Sequence, residues 1–302
     1  MLRKKILRKI YFTTLIVFVL FVISSFTMNK NISNIKVEYQ TNLTGIYLMD
    51  ENNYLLEVNI VVSDNLEDNI PIVINSLKNN YNHYSGLKGI IPNDTIIQNI
   101  KIEDDLLIID FNRALLNVNM ELEEKLIESI VYSLLNFKEI KRVKITIDSK
   151  PLTLLPKSNI KLNDILTKKM GINKEYEISS LQNIQKVILY YYEEKDHNRY
   201  YVPVTKYINS NDDKIKIIID NLKNDYLIHT NLMSYINEKV KISNYEHKSD
   251  MVFLSFDSVK DFIPNVVSEE VIYVLANSIF DSTDASKVIF MNNDNIIAIK
   301  DK

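Results

Sequence analysis

The most continuous hydrophobic segment of the chain lies near its start. Residues 11–28 contain no charged side chain. As an α-helix rising about 1.5 Å per residue, they would extend roughly 27 Å, which is close to the hydrocarbon thickness of a bilayer. The pattern therefore predicts a single transmembrane helix, a signal-anchor, at residues 11–28.

Positive charge is concentrated before this segment. The five cations that precede it are Arg3, Lys4, Lys5, Arg8 and Lys9. By the positive-inside rule, residues 1–10 form a cytoplasmic basic tail and the chain after about residue 30 is extracytoplasmic. Because Ser25 and Thr27 are small, a cleaved signal peptide is the alternative, and it would make the remainder a secreted protein.

Alternating apolar and polar residues predict paired strands in the remainder of the chain. Each pair flanks a short polar turn, which is the pattern of a β-hairpin. The predicted hairpins are residues 45–49 with 54–62, 97–102 with 106–111, 186–192 with 200–207, and 241–244 with 251–256. Closing strands are predicted at residues 143–147 and 288–291.

A 3.6-residue period predicts an amphipathic helix at residues 121–136. Its apolar stripe is formed by Leu122, Leu126, Ile127, Ile130, Val131, Leu134 and Leu135. The other side carries Glu123, Glu124, Lys125, Glu128 and Ser129. Acids are favoured near a helix N-terminus, so we expect Glu123 and Glu124 to form a solvated first turn rather than an acid–base pair. A similar helix begins after Ser268 in the second half.

Weaker signals place one more helix in each half. In the first half, Asp68 or Asn69 is the expected N-cap, with Pro71 in the first turn. In the second half, residues 210–213 offer caps. Residues 217–219 are all β-branched, so a strand is the alternative at that point.

The two halves match at an offset of 145 residues, which indicates an internal repeat. The matching residues of the first half include Ile70, Leu77-Lys78-Asn79, Tyr81, Leu87, Ile97 and Phe111. Their counterparts are Ile215, Leu222-Lys223-Asn224, Tyr226, Leu232, Ile242 and Phe256. Tyr132 and Tyr273 match instead at an offset of 141, which predicts a short deletion in the second helix followed by a reinsertion.

Hairpin, helix, hairpin, helix and strand in each half predict a two-layer α+β fold, with helices on one face of a mostly antiparallel sheet. We expect the first domain at residues 40–151 and the second at residues 186–302. Residues 152–185 form the predicted linker.

Charge and composition exclude several classes of function. The chain has 36 basic and 39 acidic residues, so without the five N-terminal cations it carries eight excess acids and should not bind nucleic acid. Cysteine is absent, which excludes disulfides, thiolate metal sites, a catalytic thiol and a lipid-modified cysteine anchor.

No motif requires catalysis. His83, His197, His229 and His247 are isolated in the sequence. The pairs Asp104-Asp105 and Asp212-Asp213 lack the glycine-containing loop of a calcium site and are interpreted as turn and cap residues. We therefore predict that the chain is not an enzyme, with no catalytic, cofactor-binding or metal-binding residue, no cofactor and no small-molecule substrate.

A run of tyrosines is the most unusual surface candidate. Tyr190, Tyr191, Tyr192, Tyr200 and Tyr201 belong to one predicted hairpin. Strand packing explains such a run, and a protein-interaction patch is the functional alternative.

Several of these segments resemble the GerM domain of sporulation and spore germination proteins. The resemblance rests on residues 86–95 (GLKGIIPNDT), 100–111 (IKIEDDLLIIDF), the helix ending in 130–134 (IVYSL), and 143–148 (VKITID). It is strong over residues 45–151 and weaker over residues 186–299, so it implies two tandem domains of this type.

The resemblance implies a membrane-anchored, non-catalytic, extracytoplasmic scaffold or assembly factor of a cell-envelope complex. Its partners would be the cell membrane, through the N-terminal helix, and envelope proteins, with self-association as an alternative because the fold is akin to ring-building modules. The sequence departs from the family in three ways: it has no cysteine that could serve as an anchor, Ser149 replaces a usual glycine, and Asn237 replaces a proline. An exported wall-modifying enzyme and a ligand-binding or sensory domain are the alternative functions.

Overall fold

The computed structural model describes residues 42–302, apart from residues 81–83, 85, 196, 224–230, 237–239, 258–267 and 293–294. The predicted tail at residues 1–10 and the predicted anchor at residues 11–28 lie outside this part of the chain. Within the described part, no helix combines the length and the apolar character needed to cross a bilayer.

The two halves of the described chain have the same order of elements, except that the second half has one additional short strand, β10 (Leu232–Met233). The first contains β1 (Asn42–Met49), β2 (Leu55–Val62), α1 (Leu66–Ser76), β3 (Ile97–Glu103), β4 (Leu106–Phe111), α2 (Glu123–Leu134), β5 (Arg142–Ile147) and β6 (Lys150–Pro151). A short strand follows, β7 (Glu175–Glu177). The second contains β8 (Ile184–Lys195), β9 (Asn198–Asn209), α3 (Lys214–Leu222), β10 (Leu232–Met233), β11 (Ile242–Lys248), β12 (Met251–Phe256), α4 (Glu269–Ser282), β13 (Lys287–Asn292) and β14 (Asn295–Asp301).

Each half builds its own four-stranded sheet, in the orders β3-β4-β5-β6 and β11-β12-β13-β14. The two inner strands of each sheet are parallel, and the outer pairs are antiparallel. Leu106 pairs with Arg142 in the first sheet and Met251 with Lys287 in the second, so the register is identical at the 145-residue offset. The predicted tandem α+β architecture is confirmed.

The first hairpins of the two halves join in a third sheet, which the sequence did not predict. Its order is β1-β2-β9-β8-β10, and β7 pairs with β9 in parallel. The junction is an antiparallel bridge between Glu57 of β2 and Tyr201 of β9. The two repeats therefore share one sheet.

The 145-residue offset continues through the long helices. Ser133 of α2 accepts a hydrogen bond from the Tyr47 N–H (2.9 Å), and Ser278 of α4 accepts one from the Tyr190 N–H (2.9 Å). The predicted deletion is therefore wrong. Tyrosines matched at an offset of 141 because residues four apart in a helix lie on the same face.

Serines of the long helices also protect the edges of the shared sheet. Ser129 donates to the Tyr47 carbonyl (2.7 Å), so both outward backbone groups of this β1 residue are paired. At β8, Ser282 accepts from the Ile188 N–H (2.7 Å) and donates to its carbonyl (3.1 Å). Unpaired strand edges invite intermolecular pairing, so these hydroxyls close the outer side of β1 and the part of β8 that β10 does not cover.

Replacing Ser133 by alanine should lower the free energy of unfolding by about 1–2 kcal/mol, because the buried Tyr47 N–H loses its partner. Urea denaturation followed by circular dichroism measures the change. Ser76→Ala is the matched control, since the Ser76 hydroxyl bonds only to Ile72 of its own helix. Equal losses in the two variants would show that the edge contact contributes nothing.

The start of α1 differs from the prediction. Asn65, rather than Asp68 or Asn69, caps α1 by accepting from the Glu67 N–H, so Pro71 lies inside the helix. Asn69 is buried, and its side chain bonds to Ser63 instead.

The β-branched segment of the second half forms a helix. Asp213 caps α3 by accepting from two backbone N–H groups. Residues 217–219 are all buried, and this tertiary burial outweighs their preference for strands.

The turn between β5 and β6 explains how Ser149 stands where the family usually has glycine. Asp148 and Ser149 both have positive φ, at 48° and 64°. The buried Asp110 carboxylate accepts from the Ser149 N–H (2.9 Å) and from the Thr146 hydroxyl. These hydrogen bonds stabilise a backbone conformation that glycine would adopt without help.

Candidate interaction site at the domain junction

The predicted linker is an integral part of the junction between the repeats. Asn173 is buried at its centre, where its side-chain nitrogen donates to the carbonyls of Leu55 (2.9 Å) and Pro203 (2.9 Å). Its side-chain oxygen accepts from the Leu55 N–H (2.9 Å). A single amide thereby ties β2 to β9 beside the Glu57–Tyr201 bridge.

Helix α2 holds the same linker segment through charged side chains. Glu128 accepts from the Asn173 N–H (3.0 Å), and Lys125 donates to the Asn173 side chain (2.7 Å). Lys174 forms ion pairs with Glu124 (2.6 Å) and Glu128 (3.3 Å). Burial raises the pKa of the Glu128 carboxyl, although the two lysines and the Asn173 N–H favour its charged form.

The expectation of a solvated first turn in α2 is wrong. Glu123 is only 1% exposed and accepts from the backbone N–H groups of Lys157 (3.0 Å) and Ser158 (2.7 Å). Glu124 is partly buried by its ion pair with Lys174. The linker covers the polar side of the helix, so a single-helix pattern could not reveal that this side is an interface.

Two acids form a second contact between the repeats. Asp50 follows β1, Glu193 lies near the end of β8, and both are 1% exposed. Burial and the adjacent Asp50 carboxyl raise the pKa of Glu193 to about 7. Lys195, which pairs with Glu51 at 3.5 Å, partly offsets this shift. A shared proton is the physical explanation for two buried carboxyls in contact.

The tyrosine run is mainly a packing feature. Tyr190, Tyr191, Tyr192 and Tyr200 are buried, and Tyr201 is half-buried. The Tyr201 ring stacks on Tyr273 of α4, with centroids 3.7 Å apart. Strand packing therefore accounts for four of the five residues. The fifth, Tyr201, is partly exposed at the surface.

That surface is a groove of about 590 Å³ in the second repeat. It lies between the β8–β9 hairpin, the start of α4 and β14. Its lining includes Tyr201, Arg199, Glu269, Glu270, Tyr273 and Lys300. Arg199 forms ion pairs with Glu270 and with Glu194 (2.9 Å). The groove combines an aromatic floor with charges of both signs.

The aspartate pair of the first repeat and two of the four histidines singled out in the sequence lie in turns or on strands. Asp104 and Asp105 lie in the β3–β4 turn, where Asp105 pairs with Arg142 (2.6 Å). His197 is in the β8–β9 turn, and His247 on β11 lies 3.8 Å from Asp284. His83 and His229 lie outside the described residues. In the described part of the chain, no three His, Cys, Asp or Glu side chains come close enough together to hold a metal ion.

Comparisons with known proteins agree with this architecture. A family model described as "Germane: Sporulation and spore germination" matches residues 45–153. The spore germination protein GerM of Bacillus subtilis (strain 168) is 30% identical over 212 residues, which are 68% of this chain and 58% of that protein. The chain thus matches a little over half of the length of this relative.

A solved structure is similar over most of the chain. The tandem GerMN domains of the sporulation protein GerM from Bacillus subtilis cover 84% of this chain and 92% of that structure, with a TM-score of 0.74 and 25% identity. The repeated topology, the family match in the first half and this tandem match together show that the chain belongs to the GerM family and carries two GerM-like domains in tandem.

Proposed function

We propose that the chain is a non-enzymatic scaffold of a cell-envelope complex that acts in sporulation or spore germination. In this proposal residues 11–28 anchor it in the cell membrane, and both GerM-like domains lie outside the cytoplasm. Envelope proteins are its partners. The similarity to the spore germination protein GerM supports the biological setting.

The observation that carries the scaffold role is the fixed junction between the repeats. The Glu57–Tyr201 bridge and the Asn173 hydrogen bonds join the two hairpins into one sheet. A hinged pair of domains would suit closure around a substrate, whereas a shared sheet holds two surfaces at a constant spacing. Constant spacing is what an assembly platform requires.

The proposed topology predicts labelling from outside the cell. Because the chain has no cysteine, Leu181→Cys introduces a single thiol at a position that is 93% exposed. A membrane-impermeant maleimide should label it in intact cells, and carbonate washing should leave the protein in the membrane fraction. Ile6→Cys, in the predicted cytoplasmic tail, is the control and should react only after permeabilisation. Labelling of Leu181→Cys only after lysis would contradict the topology.

The scaffold role itself is tested by deletion of the gene. Loss of the chain should displace other envelope proteins from their sites in sporulating cells, as seen by fluorescence microscopy, and reduce the yield of spores that germinate. Reintroducing the full chain should restore both. Degradation of purified cell wall by the isolated protein would instead support an enzymatic role.

A further inference from the structure

Four positions that line the groove of the second repeat correspond to positions of the first repeat that contact the linker. At the 145-residue offset, Glu269, Glu270 and Tyr273 are the counterparts of Glu124, Lys125 and Glu128. Tyr201 is the counterpart of Leu55. The hairpins support this last match, since Tyr47 and Tyr190 donate to equivalent serines, and Met49 pairs with Leu55 as Tyr192 pairs with Tyr201.

In the first repeat, two consecutive linker residues contact all four of these positions. Asn173 bonds to Leu55, Lys125 and Glu128 at 2.7–3.0 Å. Lys174 pairs with Glu124 and Glu128. The site in the first repeat therefore binds a bent polypeptide segment, which it recognises through a backbone N–H, a side-chain amide and one cationic side chain.

In the second repeat, the same four positions line the open groove. Glu270 pairs with Arg199. Glu269 is exposed, and across the described residues it has no ion-pair partner of the kind that Lys174 gives Glu124. In the second repeat, the outer edge of β9 at Tyr201 is paired with Glu57 of β2, so β2 lies where Asn173 contacts Leu55 in the first repeat. Among the described ranges, no cation takes the place beside Glu269 that Lys174 takes beside Glu124.

The floor of the groove differs from its counterpart in a way that suits a cation. Tyr273 replaces Glu128 and Tyr201 replaces Leu55, so two stacked rings, 20° from coplanar, stand where the first repeat has a carboxylate and an aliphatic chain. A lysine ammonium or, better, an arginine guanidinium binds over an aromatic face and can pair with the adjacent Glu269 carboxylate.

We propose that this groove binds a segment of a partner protein, with a lysine or arginine side chain placed over Tyr273 and paired with Glu269. The inference rests on the proposed scaffold role and assigns the face through which a partner is held. Its cationic side chain would take the place beside Glu269 that Lys174 takes beside Glu124 in the first repeat, and it would be supplied by another protein rather than by the linker.

A fluorescein-labelled peptide of residues 167–178 (TKKMGINKEYEI) is the probe, because its central Asn-Lys pair already fills the counterpart site. We expect saturable binding to the full-length chain in detergent, measured by fluorescence polarisation, and tighter binding when the lysine equivalent to Lys174 is arginine. Changing that lysine to alanine in the peptide should weaken binding at least fivefold. On the protein, Glu269→Lys should weaken it about tenfold and Tyr273→Ala at least fivefold.

Glu67→Lys is the matched control, because Glu67 is also an exposed acid in the first turn of a helix, and the same substitution there should leave binding unchanged. Circular dichroism of each variant confirms that it is folded. No saturable binding up to millimolar peptide, or equal binding by Glu269→Lys and the unmodified chain, would overturn the proposal. Self-association abolished by Glu269→Lys would also overturn it, by assigning the groove to a second copy. If any of these results is obtained while the labelling and gene-deletion experiments give the expected results, the groove is rejected as the binding site and the proposed scaffold role is retained.

Discussion

Asn173→Ala should lower the free energy of unfolding by about 3–5 kcal/mol. The substitution leaves the N–H and carbonyl of Leu55 and the carbonyl of Pro203 without their partner at a buried site. Each unsatisfied buried group costs about 1–3 kcal/mol. Because these groups belong to β2 and β9, the substitution destabilises the junction between the two repeats.

A control is needed because Asn173 has a positive φ of 50°, which alanine adopts less readily than asparagine. Asn183→Ala supplies it. Asn183 has a φ of 52° but is exposed, so the substitution measures the backbone cost alone, about 1 kcal/mol. Urea denaturation of both variants gives the two free energies.

The shape of the unfolding curve adds a second test. If Asn173 couples the repeats, its alanine variant should unfold in two separated steps, with tyrosine fluorescence and circular dichroism no longer coincident. A loss no larger than that of Asn183→Ala, with one coincident transition, would show that the shared sheet holds without this amide.

Local patterns predicted most of the elements that make up each repeat. The hairpins, the long helices and the closing strands each bury one face. Apolar residues therefore recur every two positions in a strand and about every 3.6 positions in a helix. The internal repeat then strengthened each assignment. Helix α3 was predicted with a strand as the alternative, and burial of residues 217–219 outweighs their local preference for a strand.

Local patterns could not predict the junction. Glu123 and Glu128 looked like a polar outer face, since the residues that cover them lie 34 and 45 positions away in the linker. In a sequence, a buried polar residue cannot be distinguished from an exposed one unless its hydrogen-bond partner is known. The shared sheet could not be predicted either. The single bridge between Glu57 and Tyr201 produces no periodic pattern of apolar and polar residues.

Duplication followed by divergence explains why the two repeats use equivalent positions differently. The first repeat keeps Glu124 and Glu128 as ligands for its own linker. The second has an acid and a tyrosine at these positions, Glu269 and Tyr273, beside an open groove. The candidate site could not be found from the sequence. Its interpretation depends on knowing that linker residues occupy the equivalent site in the first repeat.

The free energy of unfolding should fall by about 2 kcal/mol between pH 5 and pH 8, because of Glu193. Its pKa is raised to about 7 by burial and by Asp50, against about 4.3 in an unfolded chain. The folded state therefore binds the proton more tightly. This stabilisation is complete below the unfolded pKa and is lost as the pH rises through 7.

The full shift would correspond to about 4 kcal/mol, and we expect less because Lys195 favours the ionised form and the carboxyls lie close to the surface turns. Glu193→Gln should remove most of the pH dependence, since the amide can donate to Asp50 at every pH. It should also make the chain more stable than the unmodified protein at pH 8. Urea titrations at pH 5, 6, 7 and 8 measure both effects.

Glu139→Gln is the control for this prediction, because Glu139 is exposed and its replacement should leave the slope unchanged. If Glu193→Gln keeps the slope of the unmodified chain, the two acids do not share a proton. Asp50 and Glu193 belong to different repeats, so the predicted loss is a weakening of the junction itself. A scaffold whose spacing depends on that junction should hold it most firmly in a mildly acidic envelope and loosen it as the pH rises.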